Sequence, residues 1–231
     1  MKRIVLPELL DFLPPEDASA LRSRRDLRRL NALMRNPRIM ARALAEHSPG
    51  VAARQVIELG AGDGHFLRSV AGCLNADWRG TEALLLDRLG TVDPGACAAL
   101  VRSGWRARAE VAEAGEFLRG MPSRASRVVV SNLFFHQFAD GPLAELLGLA
   151  ARSCSLVVAV EPRRAWWPRI CGGLLWFAGC GPVTRHDAAV SIRAGFTGRE
   201  LSALWPDHQA WQLTERPVGM FSHLFVARRT G

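Results

Sequence analysis

The first fifty residues carry an apolar stripe at helical spacing and nothing that reads as a strand. Leu9, Leu10 and Leu13 mark a short first helix that Pro14-Pro15 ends. Between residues 18 and 45, Leu21, Leu27, Leu30, Met34, Met40 and Leu44 recur at helical intervals, with a break near Asn36-Pro37. From residue 51 the pattern changes to short apolar runs alternating with helical segments, which predicts a parallel sheet with crossover helices. The predicted strands are 55–59, 81–86, 105–111, 127–131 and 156–160, and helices follow at about 65–74, 94–103, 115–119 and 142–152. The fourth run is β-branched and wholly apolar, as a strand buried on both faces should be. Residues 163–197 break the rhythm with tryptophans, glycines and the polar pair His186-Asp187. A helix at 199–204 and two strands, 210–216 and 223–228, then close the chain across a hairpin-length connection.

The stretch that organises these elements is Val56-Ile57-Glu58-Leu59-Gly60-Ala61-Gly62-Asp63-Gly64-His65-Phe66-Leu67. An apolar strand stops at three glycines spaced two apart, and a helix resumes behind them. Such a turn needs backbone angles that a Cβ forbids, and it lets a ligand approach the bare main chain and a helix N-terminus. The dinucleotide fingerprint is G-x-G-x-x-G, but here the third glycine comes one residue early. Strand two ends at Asp87, 23 positions beyond Gly64, where an acid suits the hydroxyls of a ribose. Strand three is followed by Glu113 and strand four by Asn132. All of these fall at carboxyl ends of strands, where open α/β sheets bind ligands.

Glu-x-Gly-x-Gly-x-Gly with this series of strand-end residues resembles the class I S-adenosylmethionine-dependent methyltransferases. The resemblance covers about residues 50–230. It implies a Rossmann-like α/β fold: a seven-stranded, mostly parallel sheet whose last strand is antiparallel. The expected division is a helical cap at 1–50, belonging to the same domain, and a core at 51–231 with a lid insert at about 163–205. S-adenosylmethionine is the implied cofactor and S-adenosylhomocysteine the product. Carried over position by position, the cofactor residues are Glu58, Gly60, Ala61, Gly62, Asp87, Arg88, Glu113, Ala114, Asn132 and Leu133. The glycine turn would face the amino-acid end of the cofactor and Glu113 the adenine, although the family more often places an Asp there.

Asn132-Leu133-Phe134-Phe135-His136-Gln137-Phe138 lacks the Pro-Pro-aromatic run of nucleobase and protein amino-methyltransferases, and no Pro-Cys pair supplies a cytosine-C5 nucleophile. It is similar instead to bacterial small-molecule enzymes of quinone and polyketide type. So are the stretch from Arg24 to Asn31, Thr184-Arg185-His186-Asp187, and the run from Ser191 to Phe196. The resulting expectation is methyl transfer to a small, largely apolar metabolite, more at oxygen than at nitrogen or carbon, by in-line displacement. Where a base is needed, His136 and His186 are the candidates, the latter with Asp187 as orienting carboxylate. Phe135, Trp167, His186 and Asp187 are the expected acceptor contacts. The insert's Trp166, Trp167, Ile170, Leu174, Leu175, Trp176 and Phe177 would close the sheet edge as core, roof the acceptor, or touch a membrane surface.

Composition narrows the alternatives. A 48% hydrophobic share suffices for a sheet covered on both faces. The formal charge of +8 is almost all arginine, Lys2 being the only lysine, and invites an RNA or tRNA methyltransferase reading. Arg22, Arg24, Arg25, Arg28, Arg29 and Arg35 share the polar side of the early helices, but no appended RNA-binding module or aromatic–basic interleaving accompanies them. A non-catalytic methyltransferase-like partner is the third reading, against which the motif is intact. Glycine spacing and the closing hairpin disfavour a NAD-dependent dehydrogenase. The absence of tyrosine removes one common general base. Five cysteines without C-x-x-C spacing or His partners predict reduced thiols, no metal site and a cytoplasmic setting. Pro7, Glu8 and Asp11 interrupt the only signal-like segment, and the run at 170–181 is too short to span a bilayer.

Overall fold

The computed structural model describes residues 2–48, 54–123, 125–165 and 179–230. Five parallel strands, β1 (Gln55–Leu59), β2 (Glu82–Asp87), β3 (Arg106–Val111), β4 (Arg127–Asn132) and β5 (Leu156–Pro162), are followed by a hairpin of β6 (Trp211–Val218) and β7 (Ser222–Arg229). The order across the sheet is β3-β2-β1-β4-β5-β7-β6, with β7 antiparallel to both of its neighbours. The chain therefore reverses its direction of travel between β1, which pairs with β2 on one side, and β4 on the other. Reversals of this kind open a crevice at the carboxyl ends of the strands.

Alternate strand residues feed two cores. Ile57, Leu59, Leu84, Leu86, Val129 and Val157 point to the side covered by α5 (Ala114–Arg119), α6 (Asp140–Ser153) and α8 (Glu200–Leu204). Val56, Leu85, Val128, Val130, Val158 and Val160 point to the side covered by α2 (Asn36–His47), α3 (His65–Ala71) and α4 (Pro94–Arg102). Each strand of the centre is buried on both faces, so the apolar runs carry no alternation, as the sequence pattern predicts. The edge strand β3 is mostly exposed.

The N-terminal region lies over the crevice. A 3-10 turn at Leu9–Phe12 replaces the expected first helix. Helix α1 (Ala18–Leu33) begins at Asp17, whose carboxylate accepts the Ser19 and Ala20 N–H groups. Two residues between α1 and α2 make the predicted break, and Arg35 there has a left-handed φ of 59°.

The segment expected to be irregular contains a regular helix, α7 (Pro182–Ala194). Its apolar pattern is weak because its buried positions are mixed, Thr184 and Asp187 with Val190 and Ala194. Thr184, Asp187 and Ser191 are spaced three and four apart and are satisfied by N-terminal groups: Asp26 by Thr184, the Leu9 and Leu10 N–H groups by Asp187, and Glu8 by Ser191. The excursion after β5 closes on itself, since Phe196 N–H donates to the Pro162 carbonyl and Arg164 N–H to that of Phe196. The Trp-rich run 166–178, Trp167 included, lies outside the described residues.

Candidate cofactor and acceptor site

The glycine turn at the end of β1 is held by β2 and the loop behind it. Ala61 N–H donates to the Leu86 carbonyl, Gly62 N–H to Asp87 Oδ2 at 2.8 Å, and Thr91 Oγ1 to the Gly62 carbonyl at 2.9 Å. Asp87 Oδ1 also accepts the Leu89 N–H. Asp87 thus locks the turn, and each oxygen keeps a further lone pair for a ligand. Gly60, Gly62 and Gly64 all have positive φ, but their surroundings differ. A Cβ on Gly60 would stand 2.4 Å from the Phe134 ring, whereas one on Gly62 would meet nothing within 4 Å and project into the crevice.

A cavity of about 850 Å³ begins at this turn, and all ten sequence-assigned cofactor residues line it: Glu58, Gly60, Ala61, Gly62, Asp87, Arg88, Glu113, Ala114, Asn132 and Leu133. Glu58 is 2% exposed, and its Oε2 has no hydrogen-bond partner. Burial, then the nearby charges of Asp63 and Asp87, push its carboxyl well above the usual carboxylate range. An orphaned acid among further carboxylates, beside a glycine whose open side faces the cavity, suits a ligand carrying positive charge. S-adenosylmethionine, with its sulfonium and ammonium groups, meets that requirement. Leu133 occupies a left-handed φ of 55°, the kind of backbone strain that collects at ligand sites.

The cavity continues past Asn132 to a second region built by long-range side-chain pairs. Glu161, at the end of β5, is fully buried. Its carboxylate accepts the Phe134, Phe135 and His136 N–H groups and lies 2.8 Å from His136 Nδ1. His136 Nε2 lies 3.1 Å from Glu8 Oε1, and Glu8 also accepts from Ser191. Both ring nitrogens therefore face carboxylates. Burial alone would depress the imidazole, but the hydrogen bonds and charges of Glu161 and Glu8 outweigh it and raise the pKa to about 9. Burial pushes Glu8 up, yet His136, Ser191 and Gln137 bring it below the ordinary value. At neutral pH His136 is an imidazolium with no lone pair to accept a proton, so this arrangement does not offer the general base the sequence assigns to it.

His186 is placed differently again. Its Nδ1 is 3.0 Å from Asp187 Oδ1, as the sequence pairing implies, but the ring is half exposed and outside the cavity lining. Asp187 does line the cavity, its oxygens occupied by the Leu9 and Leu10 N–H groups at 2.8 and 3.0 Å. Phe135 is wholly buried in the core, and its neighbour Phe134 lines the cavity in its stead.

The roof is N-terminal. Asn36 Nδ2 donates to Asn31 and Asn132, Asn132 Nδ2 to Asn31, and Ser222 Oγ to Asn36 Oδ1, which knits both early helices to the end of β4. Asp26, buried, accepts the Gly181 N–H and Thr184 hydroxyl and so caps α7. Arg28 lies 3.4 Å from Asp63 of the glycine turn, and Asp11 3.3 Å from Arg88. Sequence reasoning missed Glu8, Asp26, Asn31, Asn36, Glu161 and Ser191 as site residues. Glu161 alone carried a usable signal, an acid ending an apolar strand just as Asp87 does. Among the described residues no cluster of three or more His, Cys, Asp or Glu could hold a metal ion, and no helix is long and apolar enough to cross a membrane.

Sheet order, antiparallel last strand and glycine turn together define the class I S-adenosylmethionine-dependent methyltransferase fold. No protein-family model and no curated protein sequence matches the chain. Solved structures do, several of them described as methyltransferases. Mitomycin 7-O-methyltransferase MmcR superposes with a TM-score of 0.57 at 19% identity, over 96% of this chain and 60% of that one. An O-methyltransferase family protein from Burkholderia thailandensis gives 0.56 at 17% identity, over 94% and 61%. A SAM-dependent methyltransferase from Aquifex aeolicus gives 0.52 at 13% identity, over 82% and 88%. The chain spans about three-fifths of the length of the first two. In fold it resembles the small-molecule methyltransferases.

Proposed function

We propose that the chain transfers a methyl group from S-adenosylmethionine to an oxygen of a small, largely apolar acceptor. One observation carries this reading: a single cavity runs from the glycine turn to His136 under an N-terminal roof, large enough for a nucleoside and an acceptor together. The cofactor supplies an activated methyl on a positively charged sulfur. Gly60, Ala61 and Gly62 would hold its amino-acid end, Asp87 its ribose, and Glu113 the side of its base. Leu27, Leu30, Met34 and Ile192 form apolar walls on the acceptor side, and α1 keeps water away from the displacement.

With both ring nitrogens of His136 held by carboxylates, no base is offered at this end, which favours an acceptor oxygen that ionises without help, such as a phenol or enol. The two O-methyltransferase structures named above support oxygen as the target. The roof argues against a polynucleotide as acceptor. Part of the arginine side is also used within the chain, where Arg22 donates to the Gly179 carbonyl, Arg24 to that of Pro15, and Arg28 pairs with Asp63.

Calorimetric titration with S-adenosylmethionine and S-adenosylhomocysteine tests the reading. The wild-type chain is expected to bind both, and Gly62→Arg, whose side chain would project into the cradle, to bind neither while still unfolding cooperatively. A folded wild type that binds neither ligand would overturn the proposal. A wild type that binds them moves the question to acceptors, with phenols and quinols screened against tRNA as control.

A further inference from the structure

The outward face of α1 has a composition that solvent alone does not require. Its exposed positions are Leu21, Arg22, Arg25, Arg29, Ala32 and Leu33, spaced so as to share one side of the helix. Leu21 is 48% and Leu33 72% exposed, and Phe12, five residues ahead of the cap Asp17, is 73% exposed. The only acid between residues 18 and 35 is Asp26, which is buried and used by Gly181 and Thr184. The face is therefore basic and apolar, with more guanidinium than carboxylate: Asp26, buried beneath it, lies 3.8 Å from Arg29 and is the one acid against the arginines of α1. No hydrogen bond or ion pair joins the side chain of Arg25, Arg35 or Arg38 to a described residue.

The far end of this face opens into the cavity. Ala32, Leu33, Arg35 and Arg38 are exposed and also line it, so the mouth lies where the basic and apolar stripe ends. Inside the mouth the walls turn apolar at Leu30 and Met34.

Guanidinium groups interleaved with leucines on one helix face fit a surface that offers negative headgroups above hydrocarbon. A nucleic acid would satisfy the arginines but not Leu21 and Leu33, and the face has no aromatic residue on which a base could stack. We propose that the outer face of α1 docks on an anionic lipid surface, with the cavity mouth turned toward it so that an acceptor dissolved in the lipid enters without crossing water. Docking stands independently of methyl transfer; the route of the acceptor rests on the function proposed above.

The test is co-sedimentation of the full chain with vesicles of phosphatidylcholine alone or of phosphatidylcholine mixed with phosphatidylglycerol. S-adenosylhomocysteine titration of the same preparations reports the cofactor site separately. The expected result is association with the anionic vesicles, weak association with neutral ones, and loss in high salt. Each arginine near such a surface contributes about fivefold to partitioning, so the pair Arg25→Gln and Arg29→Gln should weaken it about 25-fold. Leu21→Ser should weaken it further. None of these three residues lines the cavity, so homocysteine-product binding should be retained in every variant. Equal binding to neutral and anionic vesicles, no binding to either, or wild-type binding by the double arginine variant would each overturn the proposal. So would a short single-stranded RNA that binds the face when the vesicles do not. Vesicle binding without S-adenosylhomocysteine binding would leave the docking standing and remove the enzymatic reading.

Discussion

The two ends of the cavity are built on different principles. At the glycine turn the site is backbone: positive-φ glycines, main-chain N–H groups and one acid, all within a short stretch of β1, β2 and the loops behind them. Around His136 it is side chain against side chain across the length of the chain, with Glu8 and His136 128 positions apart and Asn31 and Asn132 101 apart. The first arrangement holds whatever the loops elsewhere do. The second exists only when the N-terminal region is seated, whereas the first meets that region through the ion pairs Arg28–Asp63 and Asp11–Arg88.

The largest effect should come from the side-chain end. Glu161→Ala removes the acceptor of three backbone N–H groups and leaves a buried imidazolium short of one carboxylate. A loss of about 3–5 kcal/mol in urea unfolding is expected. A loss under 1 kcal/mol would mean that the cluster does not hold the turn after β4.

Two glycines two residues apart, Gly60 and Gly62, sharpen the backbone end. Gly60→Ala adds a methyl group against the Phe134 ring in a left-handed backbone, and should cost about 2–4 kcal/mol of stability. Gly62→Ala has open space and only the backbone penalty, about 1 kcal/mol, yet it should weaken S-adenosylmethionine binding at least as much as Gly60→Ala does. Thermal unfolding paired with calorimetry separates them. Equal stability losses would erase the distinction.

The pH dependence of stability should single out the His136 end. The folded pKa of His136, about 9, stands above its unfolded value near 6.5. Its contribution is complete below the unfolded value and is lost as pH rises through about 9. The shift corresponds to about 3 kcal/mol in urea unfolding between those limits. His136→Gln should flatten that slope. A profile as steep in the variant as in wild type would assign the effect elsewhere.

The smallest effect belongs to the ion pair that joins the roof to the cofactor end. Asp11 and Arg88 are partly exposed at 3.3 Å, and burial, then Glu8, pushes the Asp11 carboxyl up against the pull of Arg88. Asp11→Asn should change stability by about 0–1 kcal/mol. A larger loss would make that contact a principal anchor of the roof.

The same division explains what the sequence could tell. Strand ends are local events, an apolar run followed by Gly, Asp, Glu or Asn, and the ten residues read from them all line one cavity. Glu161 obeys that rule and was passed over because it follows the fifth strand, beyond the family's motifs. Glu8 and Asp26 leave no local trace, since their partners lie more than a hundred residues along the chain, at His136 and in α7. Adjacency misled at His186: neighbours on a helix diverge by about 100°, so Asp187 can face the cavity while His186 faces solvent. Helix α7 is hard to read for a related reason, because its buried face mixes Val190 and Ala194 with Thr184 and Asp187, whose polar groups pair with the N-terminal region.

The carboxylate of Asp26 finishes α7 from 158 residues away. A ribosome adds roughly 5–20 residues per second, so the wait between the two is about 8–30 s. During synthesis the early helices therefore emerge without the partners that bury their polar groups, and they must be kept from aggregating until the last third of the chain arrives. Final assembly of the roof waits until α7 has emerged.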